Sequence, residues 1–193
     1  MDWQTDMTSP KIIVIPGSSR KGSHNRRLAE VIANQLNVLG GEATAINLAD
    51  FPMPIYNGDL EESDGAPDSA MKLAKLIADN HGVVLVNPEY NGSFSGLMKN
   101  TLDWLSRDVG VKVFQNRVFA LAACSPGGLG GMRVLAHARD NLVSVGADMI
   151  TPQVAVGNAH TAFAEDNTLS NERTASLLQS FCETLIERAK TYA

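Results

Sequence analysis

The sequence predicts an α/β protein built on a doubly wound, five-stranded parallel sheet with helices on both faces. Three observations predict it. Short, continuously apolar runs recur at 11–15, 82–87 and 117–125, as expected of strands buried on both faces. Segments with apolar residues at helical spacing separate them. Five such strand-helix units follow one another without repeats or linkers, so the 193 residues read as one domain.

The first unit is "KIIVI" (11–15), followed by a helix whose face carries Leu28, Ala29, Ile32, Ala33 and Leu36 and which ends at Gly40-Gly41. "EATAINL" (42–48) is a weaker strand. "DFPMPIYNGDLEESDGAPD" (50–68), rich in proline, glycine and acid, reads as a long loop at a rim or interface. A second helix carries Leu73, Ala74, Leu76 and Ile77. "GVVLVN" (82–87) is a strong strand, broken by "PEYNGSFSG" and followed by a helix over 97–107. "RVFALAACS" (117–125) precedes "PGGLGG" and a helix from Met132 to Val145. The fifth strand, 148–156, contains Pro152, which places it at a sheet edge. Ser170 or Asn171 caps the last helix, whose apolar face is Leu177, Leu178, Phe181, Leu185, Ile186 and Ala189. In the flavodoxin-like strand order 2-1-3-4-5, ligands sit between the first and third strands, at their carboxyl ends. The loops at 17–25 and 87–96 follow those two strands.

Composition excludes several classes. A net charge of -5 without a basic stripe argues against a nucleic-acid protein. No apolar run approaches the roughly 20 residues of a membrane span. The segment "MDWQTDMTSP" lacks the features of a signal peptide, and residues 1–9 are expected to be flexible. Two cysteines, Cys124 and Cys182, suit a reducing compartment and make no zinc signature, so a cytoplasmic location is expected.

The 17–25 loop carries the strongest chemical signal. A helix start offers unpaired N–H groups and partial positive charge, and this one adds the hydroxyls of Ser18, Ser19 and Ser23, the Asn25 amide and the Arg20 fork. No acid occurs from Lys11 to Ala29. The loop therefore reads as a phosphate site, set against the plainer reading of a solvated loop. It is not a nucleoside triphosphate loop, because Ser23 stands where the Walker lysine belongs, and it is not G-x-G-x-x-G. A single terminal phosphate remains, as flavin mononucleotide (FMN) presents. In the second loop Pro88 sets a turn, Asn91 and Gly92 bring backbone close, and Tyr90 offers an aromatic face. "CSPGGLGG" is a third loop where a planar ring can lie against bare backbone.

"GSSRKGSHNRRLA", "PEYNGSFSGLMKNTLDWLSR" and "SPGGLGGMRVL" together resemble the NADPH-dependent FMN reductase family, flavodoxin-like flavoproteins that include bacterial quinone, chromate and azo-dye reductases. The resemblance implies that Ser18, Arg20, Ser23 and Asn25 bind the FMN phosphate. It implies that Pro88, Glu89, Tyr90, Asn91 and Gly92 contact the isoalloxazine ring, with Ser125, Gly127 and Gly128 along its other side. His24, within the first motif, is counted with the cofactor-binding residues. Relatives often carry an apolar or aromatic residue there, so the resemblance gives it no specific role. NADPH or NADH would donate hydride to FMN, and a small acceptor such as a quinone, flavin, chromate or azo compound would receive it. No catalytic side chain and no metal are expected. The resemblance also implies a homodimer or homotetramer, with 50–68 and 97–107 as contact surfaces.

Other features read as structural. His81, His137 and His160 lack metal-ligand spacing and read as surface or satisfied histidines. Cys124 reads as a small buried hydrophobe, and Trp104 as core or interface. "GSFSG" places Phe94 where a nucleophile elbow needs serine, so a hydrolase is excluded. The remaining alternatives to an enzyme are an electron carrier, against which the loop arginine and modest charge argue, and a flavin redox sensor.

Overall fold

The computed structural model describes residues 9–193; the expected flexibility of residues 1–9 falls almost wholly outside them. Five strands form one all-parallel sheet in the order β2-β1-β3-β4-β5: β1 (Lys11–Pro16), β2 (Glu42–Ala45), β3 (Gly82–Asn87), β4 (Val118–Cys124) and β5 (Asp148–Val156). Six α-helices cover it: α1 (His24–Val38), α2 (Gly58–Asp64), α3 (Asp68–Ala78), α4 (Gly96–Leu105), α5 (Met132–Ser144) and α6 (Glu172–Ala189).

The continuous apolar runs become central strands because both of their faces are covered. On one face Ile12, Val14, Val84, Val86, Ala120 and Ala122 pack against the apolar stripes of α1 and α6. On the other, Ile13, Ile15, Val83, Leu85, Phe119 and Leu121 pack against α3, α4 and α5. This division follows from right-handed crossovers: the chain moves one way from β1 to β2 and the other way from β2 onward, so α1 lies opposite α3, α4 and α5. The reversal between β1 and β3 opens a crevice at their carboxyl ends.

Three local expectations are corrected. The segment 50–68 is not all loop, because α2 lies within it. That helix buries no residue and starts where the Asn57 side chain accepts from Asp59 N, with Asp59 and Glu61 favourable in its first turn. A sequence reading that relies on apolar periodicity has nothing to detect there. Leu177 is 54% exposed rather than part of the α6 stripe. It lies at the margin of that stripe, about 40° round the helix from Phe181 but about 140° from Cys182 and about 180° from Ile186. The first loop ends at Ser23, and His24 and Asn25 open α1.

The edge position of β5 agrees with Pro152. The β4–β5 register shifts between Phe119 and Leu121, which pair with Met149 and Gln153, so Ile150, Thr151 and Pro152 stand opposite Ala120 alone. A bulge at an edge accommodates a residue that has no N–H to donate. Asn171 caps α6, accepting from Thr174 N.

Candidate functional site

A cleft of about 440 Å³ opens at the β1–β3 crossing, lined by the loops after β1, β3 and β4 and by His160 from the β5–α6 connection. Its size falls within the range of small-molecule sites.

The first wall is the start of α1. Ser23 is the N-cap, its Oγ accepting from Arg26 N. Ser18 and Ser23 are only 5% and 6% exposed, so their hydroxyls are held in place and largely desolvated. The N–H groups of His24 and Asn25, in the first turn, have no intrahelical acceptor. Arg20 curls over the loop, donating to Lys21 O at 3.4 Å and Gly22 O at 3.2 Å, and the rest of its fork is exposed. Gly22, at φ +67°, supplies the left-handed turn that brings the chain back to the helix.

The Asn25 amide does something the sequence did not suggest. Its Nδ2 donates to Cys124 O at 2.8 Å and its Oδ1 accepts from Cys124 N at 2.9 Å. The expected side-chain donation to a phosphate therefore gives way to a buried clamp joining α1 to the end of β4. What Asn25 still offers an anion is its backbone N–H. Asn25→Asp is expected to cost about 2–4 kcal/mol, since a carboxylate faces Cys124 O without a donor in a buried site, and urea unfolding measures the loss.

The second wall is a tight hairpin. Tyr90 and Ser93 exchange backbone hydrogen bonds at 3.0 and 3.1 Å, and Asn91 (φ 53°) and Gly92 (φ 78°) form the two left-handed central positions. Asn-Gly suits such a type I′ turn. Tyr90, half exposed, stands at the cleft mouth. Glu89 lines the cleft, but its carboxylate turns away, accepting from Arg133 N at 3.1 Å, Val134 N at 3.4 Å and Arg133 Nη1 at 3.0 Å. It thereby caps α5, whose own N-cap Gly131 supplies no side-chain bond. Ser93 Oγ also meets His137 Nδ1 at 3.0 Å, so α5 holds the hairpin at two points. Ser95 caps α4 and donates from Oγ to Gly17 O at 2.7 Å, tying this loop to the first.

The third wall is Ser125 and Pro126. Cys124 is buried, and burial pushes its thiol up to about 12, so it is a neutral packing group as the sequence suggested.

Of the sequence-predicted residues, the cleft gathers Ser18, Arg20, Ser23, His24, Asn25, Pro88, Glu89, Tyr90 and Ser125. Asn91 and Gly92 shape the hairpin without lining the cleft. Gly128 lines an adjoining cavity with Val156 and Gly157, and Gly127 O accepts from Gly130 N and Asn158 N. Sequence reading missed His160, whose ring meets His24 edge to face at 5.0 Å. It also missed Asn87, fully buried at the end of β3, whose Nδ2 donates to Leu85 O while Oδ1 has no partner among the described residues. His81 accepts from Lys11 N at 3.0 Å and is a satisfied histidine as read. Among the described residues no group of three or more acidic, histidine or cysteine side chains is placed to hold a metal. None of the described helices is long and apolar enough to cross a membrane.

The arrangement suits a phosphate monoester: two held hydroxyls, two free N–H groups, a helix dipole and an arginine meet in one corner. The acid in the cleft is turned into α5 rather than toward that corner. The other end, with Tyr90 and backbone turns, suits a planar ring.

Comparisons with known proteins agree. The family model described as NADPH-dependent FMN reductase matches residues 10–161. The chain is 36% identical over 155 residues to the NADPH azoreductase of a Bacillus species, covering 80% of this chain and 81% of that one. It is 31% identical over 174 residues to a quinone reductase of Pseudomonas putida, covering 89% and 90%. Among solved structures, the flavoenzyme NAD(P)H:(acceptor) oxidoreductase FerB of Paracoccus denitrificans superposes with a TM-score of 0.81 at 30% identity, covering 95% and 98%.

Proposed function

The chain belongs to the NADPH-dependent FMN reductase family, and from that membership we propose that its residues form one flavodoxin-like domain that seats FMN in the β1–β3 cleft and reduces small quinones. It is an NAD(P)H-dependent, FMN-containing oxidoreductase. One observation carries the site assignment: the buried hydroxyls of Ser18 and Ser23 meet the free N–H groups of His24 and Asn25 in one corner of the cleft, into which no carboxylate of the described residues is directed.

FMN bound in the cleft would supply the two-electron chemistry that links NAD(P)H to the acceptor. The protein's part is to bind and orient. Ser18, Ser23, Arg20 and the first turn of α1 hold the phosphate. The 88–92 hairpin supplies backbone to the ring edge, and its attachment to α5 through Glu89 and Ser93 keeps it from shifting as ligands exchange. Ser125 closes the other side. Tyr90, half exposed at the mouth, is the side chain available to stack on an incoming nicotinamide or quinone. No general acid or base is assigned, and the neutral Cys124 thiol takes no part.

We propose a homo-oligomer, dimer or tetramer, in the cytoplasm. Support comes from an exposed apolar surface where Ile55, 86% exposed, adjoins Tyr56 and Leu97.

The test is anaerobic addition of NADPH or NADH to the FMN-loaded protein. Rapid loss of the oxidised flavin absorbance, restored by a benzoquinone, is expected. A flavin that stays oxidised favours the electron-carrier reading.

A further inference from the structure

His24 and His160 lie far apart in sequence, yet both line the cleft and their rings meet at 89°. His24 is the first residue of α1, directly after its cap Ser23, so its ring rides on the turn that presents the free N–H groups. His160 is also held in place. Ala159 N donates to Ser125 O and Thr161 N to Asn158 O. Arg27, on α1, anchors the rest of the connection, donating to Asn167 Oδ1 and Ala164 O at 2.8 Å each and lying 4.7 Å over the Phe163 ring.

The charged groups that act on His24 are one-sided. Arg20 on the β1–α1 loop and Arg27 on α1 act on His24. Across the cleft stand Tyr90, Cys124 with its neutral thiol, and Glu89, whose carboxylate is bound to the start of α5. The His24 imidazole, beside these two guanidiniums and with no carboxylate among the described residues acting on it, is held toward its neutral form until an anion arrives.

We infer that His24 and His160 form an outer wall of the phosphate site and take up a proton when a phosphate monoester binds, so that an imidazolium adds to the grip of the hydroxyls and N–H groups. This deepens the FMN reading above and rests on it. It also gives His24 the role that the family resemblance leaves blank.

The sign follows from the charges. Burial, and then the charges of His160, Arg20 and Arg27, hold His24 below its ordinary 6.5, so the free protein keeps the ring neutral at pH 7. A dianion alongside raises the pKa in the complex, which then binds more protons than the free protein. Affinity is gained as pH falls through the complex's pKa and lost as pH rises through it.

The experiment is calorimetric titration of FMN into the flavin-free full chain at about pH 7.5, where the phosphate (second pKa about 6) is already dianionic. Buffers of different ionisation enthalpy are used, and the dissociation constant is followed from about pH 8 to about pH 7. Heat that depends on the buffer in the sense of proton uptake is expected, with Kd falling by about three- to tenfold over that unit, tenfold being the limit for one whole proton. His24→Phe keeps an aromatic ring against His160, and His160→Gln keeps a polar side chain there. Each is expected to remain folded by circular dichroism and to lose most of the uptake and of the pH slope. FMN binding with buffer-independent heat in the wild type, or undiminished uptake in both variants, overturns the inference while leaving FMN binding standing. No FMN binding in any buffer overturns the FMN reading and the inference with it.

Discussion

Ser23→Asp is expected to leave the protein folded while weakening FMN binding by about a hundredfold or more. Ser23 has two jobs that this substitution separates. As N-cap of α1 it accepts from Arg26 N, and Asp caps as well as Ser while adding a favourable charge at the positive end of the helix. Thermal stability should therefore hold or rise slightly. As a phosphate ligand, however, Ser23 donates a hydroxyl from a largely desolvated position, and a carboxylate there both removes the donor and repels a dianion. A hundredfold change corresponds to about 2.7 kcal/mol, the order of one charge-assisted hydrogen bond and the attendant repulsion. Ser23→Ala should be milder for binding yet cost about 1 kcal/mol of stability through the lost cap. Flavin fluorescence quenching and thermal unfolding read the two effects separately. An unchanged affinity in Ser23→Asp means that the phosphate lies elsewhere.

Gly130→Ala is expected to cost about 3 kcal/mol or more of folding stability, whereas Gly128→Ala should be close to neutral. At Gly130 (φ +64°) a methyl group meets Ala155 C, Gly157 N and Val156 C at 2.8 Å, all of them backbone at the end of β5. A left-handed conformation adds about 1 kcal/mol for an alanine, and overpacking against rigid backbone supplies the remainder. Ser125 and Pro126 share the loop of Gly130, and Ser125 N donates to Val156 O at 3.0 Å, so the third wall of the cleft should move as well. At Gly128 nothing lies within 4 Å of an added methyl and φ is ordinary. Urea denaturation of the pair measures the contrast. FMN titration of Gly128→Ala then reports whether that position lies along the ring, as the family resemblance implies, or serves only the neighbouring cavity.

Much of the fold was legible because its strongest signals are local. The β1, β3 and β4 runs are apolar without interruption, a pattern that only two covered faces explain, and Pro152 marked the edge strand through its missing N–H. Helix α2 was not legible because it has no buried face, and only its Asn57 cap and early acids hint at it. The phosphate corner was legible for the same local reason: Ser18, Arg20 and Ser23 lie within one loop whose composition is itself the signal. What escaped depends on partners distant in sequence. Glu89 reads as a ring contact until α5 arrives to take its carboxylate, and Asn25 reads as a phosphate donor until Cys124 claims both ends of its amide. His160 reads as an incidental histidine because only the β5–α6 connection, pinned by Arg27, brings it against His24. Residue type alone could not separate a side chain aimed at a ligand from one that holds the ligand's frame.

The central claim is that the loop at the start of α1 holds the phosphate of a bound flavin. Titrating the flavin-free protein with FMN and, separately, with riboflavin tests it most directly, because the two ligands share the ring and differ only in the phosphate. The account predicts that FMN binds about a hundredfold or more tightly than riboflavin, the value of at least one charge-assisted contact in a desolvated corner. Equal affinities for the two would contradict it.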